Sequence, residues 1–229
     1  MGFRWFSGKI DGGTRIEQAT MRIEAVIFDF GGVFIPSPYP FFEAVAVEMG
    51  AGPGQINEIV FGSLAEDGDH PYHRLERGEI PLQQAREEIL HRSRALCNLE
   101  VDILHLFGRM SSDVHQQLVD RVKELKREGY PTAMITNNIR EYADVWRSLI
   151  PVEELYDVVV DSSQVGMRKP NPAIFRLTLE RLGGLAPERT VFLDDSEGNV
   201  SAARSLGMHV VHVRGDISEA IAELDALLG

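Results

Sequence analysis

The chain has 229 residues, of which 44% are hydrophobic and 25% are charged. This composition fits a globular protein with one sizeable core, or a core and a smaller satellite domain, and it excludes a disordered or collagen-like chain. Acidic residues outnumber basic ones by 35 to 23, a net charge of -12 without a basic cluster, so we expect no nucleic-acid partner.

The sequence carries no sign of export or of insertion into a membrane. No apolar run approaches about 18 residues, the length that a membrane-spanning helix needs, and the first twenty residues lack the apolar stretch of a secretory signal. We predict that residues 1–20 are an extension outside the fold. The single cysteine, Cys97, excludes an internal disulfide and suggests a reducing, cytoplasmic location.

From residue 21 onward, short β-branched runs alternate with stretches of helical apolar spacing. This alternation is typical of a parallel sheet with crossover helices, so the predicted fold class is α/β with a doubly wound parallel sheet. The runs that we predict as strands occupy residues 25–28, 133–135, 158–160, 191–193 and 210–213.

Two helices have marked ends in the sequence. Asp113 is a predicted N-cap, and that helix is expected to stop at Gly129. Asn171, followed by Pro172 at the first helical position, predicts a second helix that closes at the glycine pair 183–184.

The interval 36–112 is far longer than an ordinary loop of about 2 to 6 residues between a strand and a helix. Apolar residues recur within it at helical spacing, interrupted by proline and glycine. We therefore predict a small α-helical cap domain at 36–112, inserted into a core domain made of 21–35 and 113–229. Such a cap would lie beside the sheet edge where open α/β folds bind their ligands.

Polar residues stand where the predicted strands end. Asp29, Thr136 and the pair Asp194 and Asp195 occupy three such ends, and Lys169 lies in a loop after another strand. Parallel strand ends converge on one crevice, and three carboxylates gathered there repel one another unless a cation is present. Oxygen ligands of this kind suit Mg²⁺.

Four segments resemble the ordered motifs of the haloacid dehalogenase superfamily: VIFDFGGVF, MITNN, GMRKPNPAIF and VFLDDSEGNVSAARSLGM. The similarity extends over residues 21–229, and the nearest subgroup includes the phosphatase domain that precedes epoxide hydrolase and the related domain that precedes some acyl-CoA dehydrogenases. The resemblance implies a Mg²⁺-dependent phosphohydrolase that acts on a small phosphorylated metabolite through an aspartyl-phosphate intermediate.

The resemblance also implies a role for each matching residue. Asp29 corresponds to the catalytic nucleophile. Thr136 and the backbone of Asn137 correspond to the groups that hold the substrate phosphate. Lys169 corresponds to the lysine that neutralises the nucleophile and the phosphoryl group during transfer.

The metal ligands implied by the same resemblance are Asp29, Asp195 and the main-chain carbonyl of residue 31. Asp194 and Asn199 correspond to residues that orient the lysine and the metal-bound water.

Gly31 departs from the pattern of this superfamily, because most of its phosphatases carry a second aspartate two residues after the nucleophile. That aspartate acts as general acid and base, which typically contributes about 10²- to 10⁴-fold to the rate. We expect rates that depend steeply on leaving-group acidity, unless a group of the cap, such as His70 or His73, or the substrate itself delivers the proton. Two alternatives stay open: a catalytically weakened domain that binds a phosphometabolite or a partner, and a 2-haloacid dehalogenase.

Overall fold

The structure is a computed structural model that describes residues 22–229. The predicted extension at residues 1–20 lies outside the described residues. Within them, no helix is long and apolar enough to cross a membrane.

A five-stranded parallel sheet forms the centre of the described chain, with the strand order β3-β2-β1-β4-β5. The chain starts in the middle of the sheet and winds outward in both directions, so the prediction of a doubly wound α/β fold is confirmed. The strands are β1 (Ala25–Phe28), β2 (Thr132–Thr136), β3 (Val158–Asp161), β4 (Thr190–Asp194) and β5 (His209–His212).

Twelve α-helices accompany the sheet in the described part of the chain. They are α1 (Pro38–Met49), α2 (Gln55–Phe61), α3 (Pro71–Glu76), α4 (Leu82–Cys97), α5 (Ile103–Phe107), α6 (Gln116–Arg127), α7 (Ala143–Leu149), α8 (Val152–Leu155), α9 (Ser162–Val165), α10 (Pro172–Arg181), α11 (Glu197–Ser205) and α12 (Ile217–Leu228).

Helices cover both faces of the sheet. Because successive side chains of a strand point to opposite faces, neighbouring residues of one strand pack against different helices. Val26 and Phe28 pack in one cluster with apolar residues of α6 and α12. Ile27 packs in a second cluster with residues of α10 and α11. The central strands are therefore buried on both sides, as their nearly continuous apolar sequences require.

The helices α1 to α5 lie between β1 and α6 and pack around an apolar cluster of their own. Phe42, Ile56, Ile89 and Ile103 are among its fully buried members. Separate clusters of this kind are what an inserted helical domain needs. The boundaries at 35/36 and 112/113 remain predictions.

The predicted ends of α10 are confirmed. The Asn171 side chain accepts a hydrogen bond from the Ala173 N–H, Pro172 is the first helical residue, and the helix ends at Arg181 just before the glycine pair. The prediction for Asp113 is wrong, because α6 begins at Gln116. The residue before it, His115, donates its backbone N–H to Phe34 O at 2.8 Å, so the chain stays non-helical until it has passed that contact.

A glycine allows the loop after α2 to touch the core. A Cβ atom on Gly198, in the first turn of α11, would lie 2.2 Å from the carbonyl oxygen of Leu64. Such an approach is impossible for any other residue without displacement of backbone.

We expect Gly198→Ala to lower the free energy of unfolding by about 1–3 kcal/mol, because the added methyl group must push the backbone of Leu64 away. Gly52→Ala is the matched control, since the nearest atom to its Cβ would be a side-chain oxygen at 3.8 Å. Urea denaturation of both variants checks the prediction, and equal stability of the two would contradict it.

Candidate active site

Three of the predicted site residues stand at the carboxyl edge of the sheet. Asp29 directly follows β1 and donates its backbone N–H to Leu193 O at 2.8 Å, while Thr136 ends β2 and Asp194 ends β4. All three are buried. Since neighbouring parallel strands end at the same edge, their side chains are carried into one region.

Lys169 joins the side chains of Asp29 and Asp194. Its ammonium nitrogen lies 2.7 Å from Asp29 Oδ1 and 2.7 Å from Asp194 Oδ2, and the residue is fully buried. Although burial disfavours the charged ammonium, the carboxylates of Asp194 and Asp29 raise the pKa of Lys169 above its usual value. The lysine is therefore a fixed positive charge at neutral pH.

Asn137 holds the main chain of Lys169 from both sides. Its Oδ1 accepts the Lys169 N–H at 2.8 Å, and its Nδ2 donates to the Lys169 carbonyl at 3.0 Å. Sequence reasoning assigned only the Asn137 backbone, to phosphate binding, and missed this clamp. No local pattern reveals it, because the two residues are 32 positions apart.

The carboxylate of Asp194 is occupied by protein donors. Besides Lys169, it accepts hydrogen bonds from the Ser196 N–H at 2.8 Å and from Asn199 Nδ2 at 3.0 and 3.1 Å. These donors fix its orientation and leave it little capacity for a further ligand.

Asp195 completes a group of three carboxylates. Asp29, Asp194 and Asp195 each offer an oxygen, and these oxygens lie within 4.8 Å of one another. Burial raises the pKa of Asp195 to about 6, and the negative charge of the neighbouring Asp194 contributes to this shift. Gly32, with φ of +74°, allows the chain after Asp29 to pass here, since a Cβ atom on it would lie 2.1 Å from the Asp195 carboxyl.

The donor set therefore fits Mg²⁺, which prefers oxygen ligands and commonly uses one or two carboxylates with water and substrate oxygens. Burial also raises the pKa of the Asp29 carboxyl well above its usual range, and Asp194 and Asp195 add to this effect against the opposing pull of Lys169. Two or three buried carboxylates of this kind are stabilised in their charged form by a cation.

Asp29 lines a small cavity of about 90 Å³. Core residues, including Gly31, Asn137 and Asn199, form one side, and side chains from α1 to α3 form the other. A larger cavity of about 410 Å³ adjoins it and shares Gly31 and Asn137 with it. Its lining is mainly apolar and includes Phe30, Phe107 and Trp146, and it also contains Thr136.

His70 and His73 are not part of either cavity's lining. Nδ1 of His70 accepts the Tyr72 N–H at 3.1 Å, and Nδ1 of His73 accepts the Gly68 N–H at 3.0 Å. Burial lowers the pKa of each to about 4. Both rings are therefore neutral at pH 7 and shape the loop that leads into α3.

The fold and these side chains define an α/β enzyme with an oxygen-rich crevice at the carboxyl edge of its sheet. The sequence model of the family of haloacid dehalogenase-like hydrolases matches residues 23–207. The chain therefore belongs to this family. The predicted enzyme class, a hydrolase of this superfamily, is therefore confirmed.

Three curated relatives support the family assignment. The chain is 34% identical over 230 residues to acyl-CoA dehydrogenase family member 10 of Mus musculus, with 97% of this chain and 21% of the relative covered. It is 27% identical over 223 residues to bifunctional epoxide hydrolase 2 of Sus scrofa, covering 91% and 39%. It is 28% identical over 221 residues to the phosphorylated carbohydrates phosphatase of Thermotoga maritima, covering 90% and 93%.

The chain thus spans less than half of the first two relatives and nearly all of the third. Among solved structures, a HAD family enzyme of Bacteroides thetaiotaomicron in complex with magnesium and inorganic phosphate has the same fold. Its TM-score is 0.60 at 24% identity, with 86% of this chain and 98% of that chain covered.

The histidines generate a prediction about acid stability. The folded-state pKa of His73, about 4, lies below the unfolded value of about 6.5. Its neutral ring therefore contributes stability above pH 6.5 that is lost as the pH falls toward 4, by about 1–3 kcal/mol in all.

We expect His73→Asn to be less stable than the wild type at pH 7 and nearly equal to it at pH 4.5. Thermal unfolding across this range measures the difference, and His91→Asn, which changes an exposed histidine of α4, is the control. A constant difference between wild type and His73→Asn at all pH values would contradict the assignment.

Proposed function

We propose that the protein is a Mg²⁺-dependent phosphohydrolase that transfers the phosphoryl group of a small phosphorylated metabolite to Asp29 and then to water. The observation that carries this proposal is the ammonium group of Lys169, placed 2.7 Å from both Asp29 and Asp194. A buried cation beside a buried carboxylate holds that carboxylate in a fixed direction and prepares a site for incoming negative charge. A relative named as a phosphatase, matched over 93% of its length, supports the same function.

The proposed ligands of the metal are Asp29, Asp195 and the main-chain carbonyl of Gly31. When bound, Mg²⁺ supplies positive charge that stabilises the phosphoryl oxygens during transfer. With the ion and Lys169 present, the charges of the three carboxylates are balanced and a phosphate can approach.

The protein's own residues then have separate tasks. Asp29 forms the covalent bond to phosphorus, which divides one difficult displacement into two easier ones. Thr136 and the backbone of Asn137 hold the phosphate oxygens. Lys169 neutralises Asp29 and the transferring group, while Asp194 and Asn199 keep the lysine in place through the hydrogen bonds described above.

The organic part of the substrate is proposed to occupy the cavity of about 410 Å³. Its aromatic and aliphatic lining favours aryl or extended apolar groups over strongly hydrated sugars, because burying hydroxyl groups without partners costs free energy. A small phosphorylated metabolite is therefore the proposed partner.

The absence of a second cysteine in the sequence supports a cytoplasmic location.

The test of the function is release of inorganic phosphate from p-nitrophenyl phosphate in the presence of Mg²⁺. Binding of beryllium fluoride, a mimic of an aspartyl-phosphate, is measured in parallel. Phosphate release supports the phosphohydrolase, binding without turnover supports the weakened domain, and halide release from a 2-haloacid supports the dehalogenase.

We expect excess EDTA to abolish phosphate release and added Mg²⁺ to restore it. Without a divalent cation, a phosphate dianion meets three clustered carboxylates and one lysine, a net repulsion at close range. Full turnover in EDTA would contradict this site assignment.

Asp195→Asn should raise the Mg²⁺ concentration needed for half-maximal rate.

We expect Asp29→Asn to reduce turnover by more than about 10³-fold while the protein remains folded. The amide has nearly the same shape but no nucleophilic oxygen. Steady-state phosphate release measures the rate, and circular dichroism verifies the fold. The control is Asp120→Asn, which changes an exposed carboxylate of α6 that lines neither cavity. A retained rate of more than a few per cent in Asp29→Asn would exclude this nucleophile.

A further inference from the structure

A carboxyl group from α3 faces the same cavity as Asp29. Glu76, the last residue of α3, is only 6% exposed and lines the cavity of about 90 Å³ together with Asp29 and Gly31. Its Oε2 accepts a hydrogen bond from Arg168 Nε at 2.6 Å. No described residue donates a hydrogen bond to its Oε1, so this oxygen has capacity for a proton or for a substrate.

The cavity is open at the position where residue 31 would project a side chain. A Cβ atom built on Gly31 has no atom within 4 Å, and the residue does not have a positive φ. The cavity therefore has free space where a side chain at residue 31 would begin.

Few groups in this cavity can exchange a proton with a departing oxygen. Asp29 is proposed as the nucleophile, and Asp195 is proposed as a ligand of the metal. Burial raises the pKa values of Tyr39 and Tyr72 well above their usual range, so both hydroxyls are poor acids at neutral pH. Glu76 remains.

We propose that Glu76 is the catalytic general acid and base of this enzyme, supplied by the helical segment in the place of the carboxyl group that Gly31 lacks. The proposal rests on the phosphohydrolase function proposed above.

The proton follows the two steps of phosphoryl transfer. In the first, an Asp29 oxygen bonds to phosphorus, the ester P–O bond breaks, and the departing oxygen takes the proton of the Glu76 carboxyl. In the second, a water oxygen bonds to phosphorus and gives a proton to the Glu76 carboxylate, while the bond between phosphorus and Asp29 breaks. Phosphate leaves, and both carboxyl groups return to their starting states.

The surroundings of Glu76 suit this exchange. Burial raises its pKa above the usual value, and Asp67 acts in the same direction. Arg168 and Lys169 act in the opposite direction and stabilise the carboxylate that exists between the two steps. A group with a pKa moved toward neutrality is suited to give and take a proton at the working pH.

The experiment measures log kcat/KM against leaving-group pKa, with a series of substituted phenyl phosphates and one alkyl phosphate. We expect a shallow slope for the wild type. Glu76→Gln, which keeps the size of the side chain and an oxygen for Arg168, should lose less than about 5-fold with the most acidic phenol and about 10²- to 10³-fold with the alkyl phosphate. Its slope should therefore be steeper.

Two further variants separate proton transfer from structure. Adding Gly31→Asp to Glu76→Gln should recover at least about tenfold with the alkyl phosphate, because residue 31 lines the same cavity and a Cβ atom there has open space around it. Glu88→Gln is the matched control: Glu88 Oε2 accepts a hydrogen bond at 3.2 Å from Nη1 of Arg74, another residue of α3, but Glu88 does not line this cavity, so the slope should not change.

An equal loss with every substrate in Glu76→Gln, at unchanged slope, would overturn the assignment in favour of a structural role. A steep slope in the wild type would overturn it without any variant. If the wild type releases phosphate from no ester, the proposed function fails and the assignment falls with it, whereas an active wild type with an unchanged slope in Glu76→Gln overturns the assignment alone.

Discussion

The ammonium group of Lys169 is buried between two carboxylates, and the site depends on this arrangement. Removing an ammonium ion from water costs several kcal/mol, and only well-placed counter-charges offset that cost. Asp29 and Asp194 provide them at 2.7 Å each. Removal of Lys169 would leave the two buried carboxylates without their shared counter-charge, so the three side chains behave as one unit.

The rest of the site holds this unit in position. Asn137 fixes the main chain of Lys169, while Ser196 and Asn199 fix the carboxylate of Asp194. Because Asn137 directly follows β2 while Ser196 and Asn199 belong to the start of α11, the rigidity of the sheet and of this helix is transmitted to the charged atoms. Gly32 has no side chain, and this allows the Asp195 carboxyl to lie against the main chain at residue 32.

Much of this arrangement follows from the sequence. Runs of β-branched residues are reliable signs of parallel strands, and parallel strands end together, so the convergence of Asp29, Thr136 and Asp194 is predictable without coordinates. The end signals of α10 are equally local. The N-cap predicted at Asp113 is wrong because the contact of His115 with Phe34 keeps the chain non-helical up to that residue.

Other features could not be predicted because they join distant parts of the chain. Glu76 and Arg168 are 92 residues apart, and neither carries a local pattern that announces the contact. The same holds for the approach of Leu64 to Gly198. Sequence periodicity specifies which face of a helix is buried, but it contains no information about which charged residue of a separate helical segment meets a given loop.

The contact of Glu76 with Arg168 has a mechanical consequence. Arg168 is bonded covalently to Lys169, so the helix that carries Glu76 is connected to the central ammonium by one hydrogen bond and one peptide unit. A displacement of α3 would therefore also act on the loop that carries Lys169. The helical segment and the charged centre are thus joined by a short chain of bonded groups, so the position of one depends on the position of the other.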